Sequence, residues 1–199
     1  IEINGATFEQ KIIYNPDTSL YLMYIWDITK LRNITKKMTY QATHDSLTNL
    51  INRREFERRL NHLANDTKIN NKNHSFLYMD LDQFKVVNDS CGHSAGDELL
   101  KQLSTIINNI VRDTDTFARL GGDEFGILLS GCPIKKASSL AEKIRKAVED
   151  FRFHCDNKTF KVGVSIGIVT INNESGTTKE IQSAADTACY IAKEQGRNR

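Results

Sequence analysis

The sequence predicts an α/β fold of the α+β kind, in which helices pack on a mixed central sheet. From about residue 43 to the C-terminus, helical apolar patterns alternate with strand-like runs, and two of those runs are joined as an antiparallel hairpin. The chain has 199 residues, of which 39% are hydrophobic and 26% are charged. This length and composition are typical of a globular protein with one main core and a small additional element.

The first 28 residues predict two strands. The strings "FEQKII" and "LYLMYIWDIT" are strand-like, and the Pro-Asp loop "YNPDTS" separates them. A lone two-stranded ribbon is only marginally stable in water. We therefore expect these strands to belong to a larger sheet that begins upstream, in a longer protein of which this chain is a fragment that starts at Ile1.

Residues 29–42 predict a connecting helix. Leu31, Ile34 and Met38 are spaced three and four residues apart, as in a coiled-coil heptad, but the pattern lasts only about two heptads. A short exposed connector is the simpler interpretation, and a dimerising coiled coil is the alternative.

The remaining elements alternate between helix and strand. A helix is predicted from Arg53 to Ala64, "SFLYMDLDQF" is typical of a buried strand, and "AGDELLKQLSTIINNIV" places its large apolar residues on one helical face. After the hairpin come a helix from about Lys135 to Asp150, the strand "FKVGVSIGIVTI" and the amphipathic helix "TKEIQSAADTACYIAKEQ". Because that last strand is apolar on both faces, we predict a central position for it in the sheet.

Charge and cysteine content exclude several classes of protein. The 27 basic and 25 acidic residues give a net charge of +2, so the chain lacks the excess of positive charge that is typical of nucleic-acid-binding proteins. No apolar run approaches the ~20 residues of a membrane span, so we expect a cytoplasmic segment without membrane contact, although the parent protein can be anchored upstream.

The cysteines are scattered without a C-x-x-C pair, which is more typical of free thiols than of a disulfide framework or zinc site: Cys91, Cys132, Cys155 and Cys189.

The hairpin "FARLGGDEFGILLSG" displays two acids at its tip. Gly121 and Gly122 predict a tight turn, because glycine accepts positive φ without steric cost, and Asp123 and Glu124 follow it directly. A third acid, Asp80, lies where an apolar strand ends. If the two strands are neighbours, the three carboxylates converge, and a divalent cation such as Mg²⁺ would relieve their repulsion and serve phosphoryl transfer. Solvated acids at unrelated strand ends are the alternative.

Five strings in sequence order resemble the GGDEF family of diguanylate cyclases: "DSLTNLINRREF", "DLDQFKVVNDSCGHSAGDELL", "RLGGDEF", "VGVSIGI" and "AADTACYIAKEQGRNR". The resemblance covers about residues 40–199 and implies a domain over residues 43–199. It implies a ferredoxin-like sheet related to the palm of nucleotidyl cyclases and polymerases. It also implies an enzyme that condenses two GTP into cyclic di-GMP and releases two pyrophosphates.

A weaker resemblance concerns the N-terminal part. The string "YIWDITKLRNITKKM" resembles the last strand and exit of a PAS sensor domain. It implies that residues 1–28 are the C-terminal strands of a truncated PAS-like domain, and that residues 29–42 are a signalling helix.

The family resemblance implies a metal site. Asp80 and Asp123 correspond to the carboxylates that hold Mg²⁺ or Mn²⁺, with the backbone carbonyl of Leu81 assisting. Glu124 corresponds to a second metal ligand or to the proton acceptor for the 3′-hydroxyl.

The same resemblance implies a GTP site. Asn88 and Asp97 correspond to the pair that recognises guanine, and a carboxylate can indeed accept from guanine N1–H and N2–H. Lys193 and Arg197, which we expect one helical turn apart, correspond to the cations that reach the triphosphate. Alternatively, the first pair are turn and N-cap residues and the second pair complement a helix dipole. Further expected GTP contacts are Phe84, Lys85, His93, Gly121 and Gly122. The family often has an aromatic residue where this chain has Cys91.

Five residues separate an R-x-x-D string from Gly121, and the family has its product-binding inhibitory motif at this position. The resemblance implies that Arg112 and Asp115 bind cyclic di-GMP as an inhibitor. One domain holds one GTP, so the reaction requires a homodimer that brings two substrates together. The alternatives are an inactive cyclic di-GMP receptor, which the intact signature disfavours, and a cyclase for another dinucleotide, which Asp97 disfavours.

Overall fold

The structure, a computed structural model, describes residues 1–3, 5–70 and 72–199, and the chain divides into two compact units, Ile1–Thr43 and His44–Arg199. The first unit contains three antiparallel strands and one helix: β1 (Glu2–Ile3), β2 (Ala6–Asn15), β3 (Leu20–Asp27) and α1 (Thr29–Thr43). The predicted hairpin is present as β2 and β3. The short strand β1, which pairs with β2, was not predicted.

The first unit exposes most of its large apolar side chains. Every residue of β3 is exposed, and α1 buries none of its residues. The heptad residues Leu31, Ile34 and Met38 are 64%, 42% and 64% exposed. The apolar pattern of α1 therefore has no partner among the described residues of its own unit.

The second unit is built on a five-stranded sheet with the strand order β10-β5-β7-β6-β4. All neighbouring pairs are antiparallel except β4 and β6, so the sheet is mixed, as predicted. Its elements are β4 (Ile51–Asn52), α2 (Arg53–Asn70), β5 (His74–Asp82), α3 (Phe84–Cys91), α4 (His93–Asn108), β6 (Thr116–Gly121), β7 (Glu124–Leu129), α5 (Ile134–Asp150), β8 (Phe153–Cys155), β9 (Lys158–Phe160), β10 (Gly163–Ile171) and α6 (Thr178–Glu194).

Helices cover both faces of this sheet. Alternate side chains of β5 point to opposite faces, so Leu77 and Met79 pack in the core formed with α4 and α5, whereas Phe76 packs in the core formed with α2 and α6. Both cores are closed, with Phe56, Phe76 and Leu99 fully buried. Asp80 follows Phe76 by four residues and therefore faces the α2 and α6 side.

The prediction of a central position for the strand at residues 163–171 is wrong, because β10 is an edge strand. It is apolar on both faces because α5 and α6 cover the two faces at that edge. The backbone of α6 approaches closely at Gly167, where a Cβ would collide with the carbonyl oxygen of Ala185 and the amide of Cys189. Helices on both faces explain the apolar pattern, which does not depend on the number of strands that pair with β10.

Four short elements of the second unit were not predicted. Strand β4 comes directly before α2, helix α3 follows β5 directly, and β8 and β9 form their own two-stranded sheet. Among the helices of the described residues, none has the length and apolar character to cross a membrane.

Candidate active site

Strand pairing brings the predicted acids together at one end of the sheet. Asp80 of β5 is the direct cross-strand partner of Glu124 of β7. Asp123 lies in the turn before Glu124, and its carbonyl oxygen accepts a hydrogen bond of 3.2 Å from the Leu81 amide. Asp80, Leu81, Asp123 and Glu124 therefore lie within two neighbouring strand ends.

The glycine turn has the backbone geometry that the sequence predicts. Gly122 has φ of +47°, a left-handed conformation that side chains rarely adopt. The Arg119 guanidinium stabilises this turn by donating two hydrogen bonds, of 3.0 and 2.8 Å, to the Gly122 carbonyl. It also donates to the Asp45 carboxylate at 3.2 Å. Burial raises the pKa of Asp45, but hydrogen bonds from Thr48 and the charge of Arg119 outweigh it and leave that pKa below its usual value.

Lys193, in the last turn of α6, reaches across to the acids. Its Nζ lies 2.7 Å from Oδ2 of Asp80. Burial and the negative charges of Asp123 and Glu124 raise the pKa of Asp80, although the hydrogen bond from Lys193 opposes that rise. The site thus concentrates negative charge, and one ammonium group partly balances it.

Tyr78 is a site residue that the sequence analysis missed. It lies two residues before Asp80 on the same face of β5, and its hydroxyl donates a hydrogen bond to the Glu124 carboxylate. Burial, followed by this hydrogen bond, raises the pKa of Tyr78 above its ordinary value of 10.0, so the hydroxyl stays protonated as a donor. Its ring packs edge-on against Phe76. A tyrosine within an apolar strand gave no sequence signal beyond burial.

Helices α3 and α4 carry the predicted nucleotide residues. Phe84 and Lys85 form the first turn of α3, and Asn88 lies one turn further along. The Asn88 Oδ1 atom is buried and has no hydrogen-bond partner among the described residues. A Cβ at Gly96 of α4 would collide with this oxygen, so glycine permits the close approach of the two helices.

His93 and Asp97 are exposed on α4, where His93 is the first helical residue. The alternative interpretation of Asp97 as an N-cap is wrong, because Gly92 precedes the helix and Asp97 lies in its second turn. Asn88 is likewise a helical residue rather than a turn residue.

Arg197 does not lie one helical turn beyond Lys193 on the same helix, and that prediction is wrong. Helix α6 ends at Glu194, and Arg197 has φ of +62°. Its amide still donates to the Ala192 carbonyl at 3.0 Å, which turns the chain back over the helix end. The Asp82 carboxylate anchors this tail by accepting from the Asn198 amide at 2.9 Å and from the Ser165 hydroxyl at 2.8 Å.

Arg112 and Asp115 lie in the loop between α4 and β6, so they are at the opposite end of β6 from the glycine turn. The Asp115 amide donates to the Arg112 carbonyl at 3.0 Å. Both residues line a cleft of about 260 Å³, together with Lys136 and Lys143. Burial raises the pKa of Asp115, while hydrogen bonding to Ser130 and the Arg112 charge act against that rise.

The cysteines, scattered in the sequence, are partly brought together. The thiols of Cys91 and Cys155 and the carboxylate of Asp156 lie within 4.8 Å of one another. Cys132 and Cys189 remain outside this group.

The acids fit a divalent metal ion. Asp80, Asp123 and Glu124 supply hard oxygen donors at adjoining strand ends, and repulsion among them contributes to the raised pKa of Asp80. A hard cation that relieves such repulsion is Mg²⁺ or Mn²⁺.

A mixed sheet covered by helices, with acids on adjoining strand ends beneath a lysine, defines the class of this unit as an α/β domain of the nucleotidyl-cyclase type. The chain belongs to the GGDEF family: the family model described as "Diguanylate cyclase, GGDEF domain" matches residues 42–199. Cyclases of this family generally use a divalent metal.

Two curated bacterial proteins are similar to this chain over more than half of its length. The chain is 41% identical over 178 residues to the probable diguanylate cyclase DgcE of Escherichia coli. The aligned region covers 89% of this chain and 16% of DgcE. It is 42% identical to diguanylate cyclase A of Treponema denticola over 125 residues, covering 63% of this chain and 34% of that protein. The chain thus spans only a minor part of either relative.

Solved structures have the same fold. The coiled coil and GGDEF domain of DgcB from Caulobacter crescentus, in complex with c-di-GMP, matches with a TM-score of 0.81 and 26% identity, covering 86% of this chain and 91% of that one. The GGDEF domain of YfiN (TpbB) from Pseudomonas aeruginosa matches with a TM-score of 0.72 and 34% identity, covering 76% and 95% of the two chains. These matches confirm the predicted fold class.

Proposed function

We propose that this chain is an active diguanylate cyclase, which condenses two GTP into cyclic di-GMP with release of two pyrophosphates. The observation that carries the proposal is the cross-strand pair of Asp80 and Glu124 with Lys193 Nζ 2.7 Å from Asp80. This arrangement combines hard ligands for a metal with a cation for phosphate, which are the requirements of phosphoryl transfer.

The acids have the metal-binding role. Asp80, Asp123 and Glu124, with the Leu81 carbonyl, would hold Mg²⁺ or Mn²⁺. Such a cation neutralises charge on the reacting phosphates and lowers the pKa of an attacking hydroxyl. Glu124 is also placed to accept the proton of the 3′-hydroxyl, and the Tyr78 hydroxyl orients its carboxylate.

The helices bind and orient the nucleotide. The amides in the first turn of α3, at Phe84 and Lys85, are those that a helix leaves without intrahelical partners, and they suit phosphate oxygens. Lys193 is free to exchange Asp80 for the triphosphate, and Arg197 supplies a second cation from the tail. Gly121 and Gly122 leave the turn without side chains beside the phosphates.

Guanine recognition belongs to Asn88 and Asp97, with His93 beside them on α4. The unpartnered Oδ1 of Asn88 is a buried acceptor that a base donor would satisfy. Asp97 is exposed on the neighbouring helix and can accept from guanine N1–H and N2–H. Together the two residues favour guanine over adenine, which presents a different donor pattern.

Catalysis requires two copies of the chain. Each domain holds one GTP, so the 3′-hydroxyl of one nucleotide reaches the α-phosphorus of the other only across a homodimer, and two such attacks close the cyclic product. The exposed residues Leu31, Ile34 and Met38 of α1 support a coiled-coil role for that helix. In this proposal residues 1–28 derive from a PAS-like sensor and residues 29–42 form the signalling helix.

Product feedback is proposed at Arg112 and Asp115. Their cleft also contains Lys136 and Lys143, and this excess of cations suits a dinucleotide with two phosphates. The six residues of β6 separate the cleft from the catalytic turn by roughly 20 Å at about 3.3 Å per residue, so product there cannot displace GTP directly.

The test is incubation of the purified chain with GTP and Mg²⁺, followed by mass analysis of the nucleotides. We expect cyclic di-GMP and two pyrophosphates per product, no product with a metal chelator, and a specific activity that falls on dilution. Asp80→Ala or Asp123→Ala should abolish synthesis while the circular dichroism spectrum stays unchanged. A chain that binds cyclic di-GMP but leaves GTP intact would be a receptor instead, and the proposal would be rejected.

A further inference from the structure

A second group of metal-ligating side chains lies away from the carboxylate cluster. Cys91 is the last residue of α3, Cys155 is the last residue of β8, and Asp156 begins the turn to β9. One ligand atom from each side chain lies within 4.8 Å of the other two. Cys91 lies 64 positions before Cys155 in the sequence, so the tertiary fold alone brings it to Cys155 and Asp156.

We propose that Cys91, Cys155 and Asp156 form a binding site for a zinc ion, with water as the fourth ligand. Tetrahedral zinc with Zn–S bonds of about 2.3 Å and Zn–O bonds of about 2.1 Å places its ligand atoms roughly 3.6–3.8 Å apart. The observed limit of 4.8 Å leaves about 1 Å of contraction on binding, which side-chain rotation can supply.

Softness of the ligands selects the metal. Thiolates favour zinc and other soft or borderline ions, whereas Mg²⁺ and Mn²⁺ prefer the all-oxygen group at Asp80 and Glu124. Cys91 and Cys155 are half-buried and Asp156 is exposed, so an ion can enter from the Asp156 side, where water completes its coordination. The proposal does not depend on cyclase activity, because none of the three residues belongs to the proposed GTP site.

The carboxylate distinguishes a cation site from a disulfide. A disulfide would use the two thiols and leave the Asp156 carboxylate, which lies within 4.8 Å of both, without a role. A zinc ion instead displaces the thiol protons and gains the carboxylate as a third ligand. The juxtaposition of the two thiols with an acid therefore favours metal over oxidation.

Cobalt titration tests the site, since Co²⁺ reports thiolate ligation by charge-transfer absorption. The full chain, reduced with a phosphine and free of metal, is titrated with Co²⁺ in excess Mg²⁺, and Zn²⁺ is then added. We expect one equivalent of thiolate-bound Co²⁺ that Zn²⁺ displaces. A hundredfold excess of Zn²⁺ over its dissociation constant should raise the Tm by about 5 °C or more.

Variants assign the ligands. Cys91→Ser and Cys155→Ser should each reduce cobalt affinity at least tenfold and weaken the charge-transfer band. Asp156→Asn should reduce affinity about tenfold while the sulfur band remains, because an uncharged ligand replaces a carboxylate. Cys132→Ser, which alters a half-buried thiol outside the group, is the matched control and should bind as the wild type does.

Three results would overturn the proposal. The first is the absence of a thiolate-to-cobalt band in the wild type, and the second is a band that depends on Cys132. The third is the loss of two free thiols in air, together with a reduced chain that binds no metal. Circular dichroism of each variant verifies the fold. Asp156 is exposed, so its substitution keeps the test informative if a cysteine variant fails to fold.

Discussion

Lys193 Nζ lies 2.7 Å from Asp80 Oδ2, so the last turn of α6 contacts the end of β5 directly. The side chains are 32% and 15% exposed, and the pair is therefore partly shielded from water. In the proposed mechanism Asp80 binds metal and Lys193 binds phosphate. The two groups pair with each other in the absence of substrate and must separate when it binds.

We expect Lys193→Met to bind Mn²⁺ a few-fold more tightly without nucleotide, because Asp80 loses a competing cation whose contribution is about 1 kcal/mol or less. Turnover should fall tenfold or more, because the triphosphate loses a cationic contact. Calorimetric titration with Mn²⁺ and steady-state kinetics measure the two effects. Lys179→Met, which alters an exposed lysine in the first turn of the same helix, should change neither.

Tyr78→Phe should lower kcat about tenfold and leave the KM for GTP nearly unchanged. The variant removes only the hydroxyl that orients Glu124, and a hydrogen bond to a charged group contributes about 1.5–3 kcal/mol. The ring contact with Phe76 is retained, so Tm should stay close to the wild-type value. Tyr190→Phe, at an exposed tyrosine of α6, is the control. A change in KM alone would assign Tyr78 to substrate binding instead.

Asp97→Ser should relax the preference for GTP over ATP by about ten- to a hundredfold. An unpaired donor of the base costs about 1–3 kcal/mol, which corresponds to that range. Initial rates with each nucleotide give the ratio of kcat/KM, and Glu98→Gln at the neighbouring exposed carboxylate should keep the wild-type ratio. If ATP remains as poor a substrate of Asp97→Ser as it is of the wild type, Asp97 does not recognise the base.

Arg112→Ala should relieve noncompetitive inhibition by cyclic di-GMP without reducing the maximal rate. Arg112 lies at the far end of β6 from the glycine turn, so its loss removes product contacts and no substrate contact. Inhibition curves at several GTP concentrations measure the effect, with Arg54→Ala on α2 as the control. Wild-type rates that do not change at saturating cyclic di-GMP would refute feedback at this site.

The stability of the fold should fall as pH decreases below about 6.5. His74 is fully buried, its Nδ1 accepts from the Gly131 amide at 3.0 Å, and burial lowers its pKa from 6.5 despite the nearby Asp66 charge. Because the unfolded chain binds the proton more tightly, the stabilisation is complete above the unfolded pKa and is lost as pH falls through the folded one.

Urea unfolding between pH 7.5 and pH 5 measures this dependence. His74→Gln retains an acceptor for Gly131 and does not titrate, so we expect a weaker decrease of the unfolding free energy than in the wild type. His154→Gln, at an exposed histidine, should follow the wild-type curve. Parallel curves for wild type and His74→Gln would exclude His74 as the titrating group.

The sequence predicted the elements that depend on neighbouring residues. Gly121 and Gly122 indicated the hairpin because positive φ is a local backbone property, and helices α2, α4 and α5 followed from apolar spacing. The proximity of Asp80 to the hairpin acids was predicted only on the condition that their strands are neighbours. The strand order satisfies this condition, because β5 pairs with β7.

The tertiary structure decided the features that depend on how whole elements pack against one another. Apolar residues on both faces of β10 show that both faces are covered, but they say nothing about how many strands pair with it laterally, so its edge position could not be read from the pattern. The end of α6 at Glu194 separated Arg197 from the helical spacing of Lys193. The contacts of Lys193 with Asp80, and of Cys91 with Cys155, join residues distant in sequence, and loop closure and packing of whole elements determine such contacts rather than local propensity.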